Sequence, residues 1–168
     1  MAQGFLPISK EDLEDIDKWL LSKYNNLVIN VTEQMEAYDL NKVTHLIQDF
    51  VCDDLSNWYI RSNRRRFWDS ELTESKKQVY LTMYEALVTL CKLCAPITPF
   101  MTEEIYRKLT GEESVHLAEF PVENSDLINA SMIKTIGKIM INKLFIKSVE
   151  ICGITSKIKS ISENIYSK

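Results

Sequence analysis

Residues 43–68 read VTHLIQDFVCDDLSNWYIRSNRRRFW. Val43, Leu46, Ile47, Phe50, Val51, Leu55 and Trp58 recur at steps of three and four, the spacing that lines one face of an α-helix. At the same spacing the stripe continues through Arg61, Ser62 and Arg65, so an apolar face turns cationic. An unpaired guanidinium is costly to bury, and this end of the helix is therefore expected either to leave the core or to meet anions. Tyr59 falls on a neighbouring strip, and Arg64 and Arg66 point in other directions around the helix.

Similar stripes flank this one. Ser9 followed by Asp12 resembles a capping-box start, and Leu13, Ile16, Leu20, Tyr24, Leu27, Val31 and Met35 mark one long amphipathic helix that ends near AYDLNK, residues 37–42. A third helix is predicted from about Thr73 to Ala95, apolar around much of its girth through Tyr80, Met83, Tyr84, Leu87, Val88, Leu90, Cys91 and Cys94. Pro96 disfavours helix at Ala95, whereas Thr98 and Pro99 suit the N-cap and first turn of a fourth helix, with Gly111 as its C-cap.

The segment SVHLAEFP, residues 114–121, reads as an extended strap across these helices. Leu127 to Ile151 suggests a fifth helix, with Lys134, Lys138, Lys143 and Lys147 on a solvated face, and residues 152–168 read as a poorly ordered tail. The chain has only four glycines and four prolines, which leaves little turn chemistry for strands and hairpins. The expected class is all-α, an antiparallel bundle of four to five helices. Residues 1–121 would form the bundle with its strap, and residues 122–168 would belong to the same domain or begin the next.

A net charge of -4 on 168 residues, 45% of them hydrophobic, fits a soluble globular domain. No signal-peptide core and no run of eighteen apolar residues occurs, so no membrane partner is expected. The arginine cluster stands out against its surroundings. Residues 122–168 hold seven Lys against four Asp or Glu, leaving 13 basic and 20 acidic residues in 1–121, yet four arginines fall between positions 61 and 66.

Catalysis and metal binding find no support in the residues. Cys91-x-x-Cys94 lacks a second Cys or His pair, His45 and His116 are isolated, and all four thiols, Cys52, Cys91, Cys94 and Cys152, are expected to be buried. No glycine-rich phosphate loop occurs. The adjacent carboxylates Asp53–Asp54 and Glu103–Glu104 splay around a helix instead of converging.

Two readings of the cluster remain. In one, Arg61 and Arg65 pair with carboxylates such as Asp69 and the neighbouring aromatics are core. In the other, the guanidinium forks take phosphate oxygens while aromatics or arginine planes stack on unpaired bases.

The run DLSNWYIRSNRRRFW, residues 54–68, resembles the signature of the anticodon-binding domain of isoleucyl-tRNA synthetases in their eukaryotic and archaeal-like branch. DKWLLSKYNNLV (17–28), YDLNKVTHLIQDFV (38–51), CAPITPFMTEEIY (94–106) and ESVHLAEFP (113–121) are similar to that family in the same order. APITPFMTEEIY and the first-helix pattern resemble the isoleucyl, valyl and leucyl enzymes alike. The arginines after NWYI and the SVHLAEFP strap point to isoleucyl, since valyl relatives tend to carry an acidic residue where this chain has Arg61.

The resemblance implies a helical bundle that docks the anticodon arm of tRNA(Ile) and helps a distant catalytic domain charge it. The residues it marks for tRNA are Trp58, Arg61, Arg64, Arg65, Arg66, Phe67 and Trp68. No HIGH-like or KMSKS-like motif occurs, so the resemblance also implies an excised fragment without catalytic residues or a cofactor of its own. ATP and magnesium would then belong to the parent isoleucine-tRNA ligase, whose remaining domains are the other expected partners. The expected cytoplasmic location rests on this resemblance alone. The alternatives are the anticodon domain of a valyl or leucyl relative, or a helical scaffold or protein-interaction bundle whose arginines pair internally.

Overall fold

A computed structural model describes residues 13–138 and residue 140. The first helix, α1, runs Asp15–Glu36 and buries Trp19, Leu20, Leu27, Val28 and Val31 along one face. Its expected Ser9–Asp12 start lies outside the described residues, and Glu14 occupies the N-cap position without a side-chain cap bond. Tyr38, with φ 58°, turns the chain after α1, and Asp39 opens α2, Leu40–Asp49, by accepting the Lys42 N–H at 3.0 Å.

The second predicted helix is present but is not uniform. After α2 the backbone widens into an 11-residue π-helix, Phe50–Ile60, continues through Arg61 and Ser62, turns at Asn63, and re-forms as the short α3, Arg64–Trp68. Bonding from i to i+5 adds a residue to each turn, so the side chains that follow rotate out of α-helical phase. The buried positions are Val43, Phe50, Leu55, Tyr59 and Asn63, and Arg66 comes next on that face. The expected stripe through Trp58, Arg61 and Arg65 is therefore displaced by one residue. Tyr59 is core, while Arg61, Ser62 and Arg65 face solvent.

Helix α4, Glu74–Cys94, starts where the sequence suggests, with the Thr73 hydroxyl accepting the Lys76 N–H, and buries Val79, Thr82, Ala86, Leu90 and Leu93. Helix α5, Pro99–Thr110, has Pro99 in its first turn and ends at Gly111 with φ 75°. Thr98 does not cap it through its side chain, because the hydroxyl turns back to the Cys94 carbonyl. Helix α1 packs against α2, the π-helix and α4, and α4 packs against α5. The described residues contain no strand, and the fold is all-α as expected.

The strap is only partly extended. A 3-10 turn, Val115–Leu117, inserts Val115 against Cys91, Ala95 and Tyr106. Glu103 on α5 fastens it by accepting both the Ser114 hydroxyl and the Val115 N–H at 2.9 Å. Further along, the Asn124 N–H donates to the Asn25 side chain and the Asn129 N–H to the Ser22 hydroxyl, both at 2.8 Å, which ties the chain back to α1. This compact unit ends at Ala130. Of the expected fifth helix, residues 130–138 are helical, with Lys134 and Lys138 exposed; Lys143, Lys147 and the tail lie outside the described residues.

Among the cysteines, Cys91 is buried and Cys94 half-buried, and burial pushes both thiols up, Cys94 to about 11. Cys52, contrary to expectation, is exposed, because it sits on the outer face of the π-helix. Cys152 lies outside the described residues.

Candidate nucleic-acid interface

The four arginines part company in the folded chain. Arg66 is turned inward. Its Nη1 and Nη2 donate to the two oxygens of Asp17 at 3.0 and 2.7 Å, Nη1 also to Asn63 at 2.9 Å, Nη2 to the Ser75 carbonyl at 2.8 Å, and Nε to the Ser75 hydroxyl at 2.7 Å. A guanidinium has five N–H donors, and protein groups take all five. Burial alone would lower its pKa, but Asp17 and then Glu14 hold it above the ordinary value.

Asp17 is completely buried in the first turn of α1, where the helix dipole also favours an anion. Its other partner is Tyr59, whose hydroxyl donates to it at 2.6 Å. Burial and the Asp17 charge both push the Tyr59 phenol up, which favours the protonated, donating form. The Ser75 hydroxyl donates in turn to Glu14 at 2.6 Å. One guanidinium thus joins α1, α3 and α4. Arg66 was expected to contact RNA, and the structure assigns its fork to the interior instead.

Arg61, Arg64 and Arg65 behave differently. All three are exposed, and none makes an ion pair with a carboxylate among the described residues. Together with Ser62, Trp68 and Asp69 they line a shallow depression of about 700 Å³. Trp68 is 69% exposed, and the Arg64 guanidinium lies 5.5 Å from its ring centroid. Among the described residues, the pairing of Arg61 and Arg65 with acidic neighbours, including Asp69, does not occur.

Phe67 and Trp58 are half-buried, and Phe67 packs behind Trp68. Phe67 meets three rings edge-on, Tyr59 at 6.4 Å, Trp68 at 6.2 Å and Tyr80 at 5.4 Å. It is a wedge that carries the exposed Trp68 on the buried Tyr59. Tyr80 was read only as part of an apolar helix face, yet it is half-exposed beside this cluster; its signal was a lone tyrosine near lysines, visible only after folding.

Elsewhere the paired acids diverge as expected. Asp54 reaches Lys23 at 2.8 Å, while Glu103 holds the strap and Glu104 pairs with Lys108 at 2.7 Å. What the arrangement can do is present, on one face, an open indole and three guanidinia that no carboxylate of the described residues neutralises. That combination suits phosphate oxygens and an unpaired base.

Comparison with known proteins identifies the family. Residues 17–164 match the family described as "Anticodon-binding domain of tRNA ligase". Similar proteins include the isoleucine–tRNA ligases of Porphyromonas gingivalis, 43% identical over 128 residues, Clostridium acetobutylicum, 46% over 123, and Thermus thermophilus, 40% over 133. These matches cover 76%, 70% and 76% of this chain, but the chain spans only 11%, 12% and 13% of the relatives' length.

Proposed function

The chain belongs to the family of anticodon-binding domains of tRNA ligases, and on that premise we propose that it docks the anticodon arm of tRNA(Ile) for an isoleucine–tRNA ligase. The observation that carries the proposal is the shared face of Arg61, Arg64, Arg65 and Trp68, three guanidinia without an ion-pair partner among the described residues beside an exposed indole. The arginines take phosphates of the loop, and Trp68 stacks on an unpaired base. Phe67 supports this surface from behind, and Arg66 positions it.

Binding at the anticodon helps the parent enzyme select its tRNA, and ATP-dependent charging takes place on domains outside this chain. Magnesium and ATP are proposed to bind on those domains, which make up most of the relatives' length. No described helix is long and apolar enough to cross a membrane, and the proposed location is the cytoplasm, where tRNA is charged.

The test is fluorescence anisotropy of a labelled isoleucine-tRNA anticodon stem-loop against a valine-tRNA one, at low and moderate salt. Preferential binding that weakens by about 0.7 log units per tenfold salt for each single-stranded phosphate, and is lost in Arg64→Ala/Arg65→Ala, is the expected result. Salt-independent binding, or equal affinity of variant and wild type for both RNAs, would overturn the proposal.

A further inference from the structure

We infer that the RNA surface continues from α3 onto the first turns of α4, where Tyr80 and Lys76 form a second subsite for an unpaired nucleotide, adjacent to that of Trp68 and Arg64. The inference rests on the anticodon-arm reading above and extends it to residues that lie outside the arginine run.

Three ties sew the two helices together. The Tyr80 hydroxyl donates to the Phe67 carbonyl at 3.2 Å, the Lys76 ammonium to the Asp69 carbonyl at 2.7 Å, and Arg66 bonds Ser75. The result is an alternation of cations and rings along one edge. Arg64 lies 5.5 Å from the Trp68 ring, Phe67 touches both Trp68 and Tyr80 edge-on, and the Lys76 ammonium lies 5.8 Å from the Tyr80 ring.

Trp68 is 69% exposed and Tyr80 49%, with only the half-buried Phe67 between them. Two open aromatic platforms one ring apart, each with its own cation, repeat the same recognition unit. A core aromatic needs no cation, and a surface salt bridge needs no ring. The charges nearby leave the unit positive. Lys77 is taken by Glu74 at 2.6 Å, the carboxylates of Asp69 and Glu71 are outnumbered by Arg61, Arg64, Arg65 and Lys76, and Lys76 makes its bond to a neutral carbonyl, so it keeps its charge for a phosphate. Base stacking on a tyrosine is tolerant of base identity and suits a splayed loop nucleotide next to one held by the indole.

The experiment uses the full chain, the labelled isoleucine-tRNA anticodon stem-loop, and copies of it in which each loop nucleotide in turn is abasic. Tyr80→Leu is expected to weaken binding about five- to 150-fold, whereas Tyr80→Phe, which keeps the ring, binds as wild type. With one abasic copy the Leu variant and wild type should bind equally, because the stacked base is already gone. Lys76→Gln should reduce the salt slope by about 0.7.

If Tyr80→Leu and Lys76→Gln bind as wild type while Trp68→Ala is weakened, the subsite is overturned and the anticodon-arm reading stands. A Tyr80→Leu loss that persists with every abasic copy, or that Tyr80→Phe reproduces, means that Tyr80 merely holds α3, and likewise overturns it. Absence of salt-sensitive RNA binding by wild type removes both.

Discussion

Replacing Arg66 with alanine separates the interior of this domain from its surface. The substitution removes five donated bonds and leaves the Asp17 carboxylate, which has no solvent exposure, with the Tyr59 hydroxyl as its remaining side-chain donor among the described residues. The Arg66 side chain is itself only 13% exposed, so solvent screens little of the pair. Removing one partner of such a pair costs about 3–5 kcal/mol, since the loss is dominated by the stranded charge. In a chain of this size that corresponds to a fall in Tm of roughly 6–20 °C. Arg66→Lys should recover only part of it, because an ammonium cannot span Asp17, Asn63 and Ser75 with a planar fork. In the double variant Asp17→Asn/Arg66→Ala the losses should be less than additive, because the stranded charge is gone. Thermal melts and urea titrations of wild type, Arg66→Ala, Arg66→Lys, Asp17→Asn and the double variant, with stem-loop binding measured well below each Tm, make the assay. A shift in Tm below about 2 °C, together with an RNA-affinity loss equal to that of Arg64→Ala, would refute the reasoning, since Arg66 would then have to point outward.

Other predictions concern separate parts of the chain. Asn63→Ala removes a buried amide that donates to the Tyr59 carbonyl at 3.0 Å and accepts from Arg66, and should cost about 1–3 kcal/mol in urea unfolding. Gly111→Ala should cost about 1 kcal/mol from the backbone alone, because φ is 75° and an added Cβ would meet nothing within 4 Å. Mapping by mass spectrometry after brief native alkylation near pH 7.5 should find Cys52 modified and Cys91 and Cys94 protected, since burial both hides these two thiols and holds them protonated. The Glu103 carboxyl is held below its usual range by the Val115 N–H and then the Ser114 hydroxyl. A depressed carboxylate stabilises the fold above its unfolded pKa and stops doing so as pH falls through the folded value. The Tm gap between wild type and Glu103→Ala should therefore be full at pH 7 and shrink below about pH 4, the unfolded carboxylate range.

Periodicity and punctuation made much of the bundle legible. The stripe in α1, the Thr73 start of α4 and the Pro99 and Gly111 bounds of α5 are local signals, and local backbone chemistry decides them. The π-helix was not legible, because no residue type marks an i→i+5 turn and the stripe remains readable as α-helical up to Leu55. One residue of phase beyond that point exchanged the fates of Arg65 and Arg66 and moved Tyr59 from a side strip into the core. For the same reason Trp58, read as part of the apolar face, is half-buried instead.

By itself the sequence determined the all-α class and the presence of an RNA-suited cluster, together with the family, because these depend on composition, short-range spacing and residue identity. Only the tertiary structure decided which arginine serves the fold and which three serve the surface. That choice depends on Asp17, 49 positions away along the chain, whose burial is affordable only where a guanidinium meets it, and on the phase the π-helix imposes on everything after it. Charge spacing along one helix cannot specify a partner contributed by another.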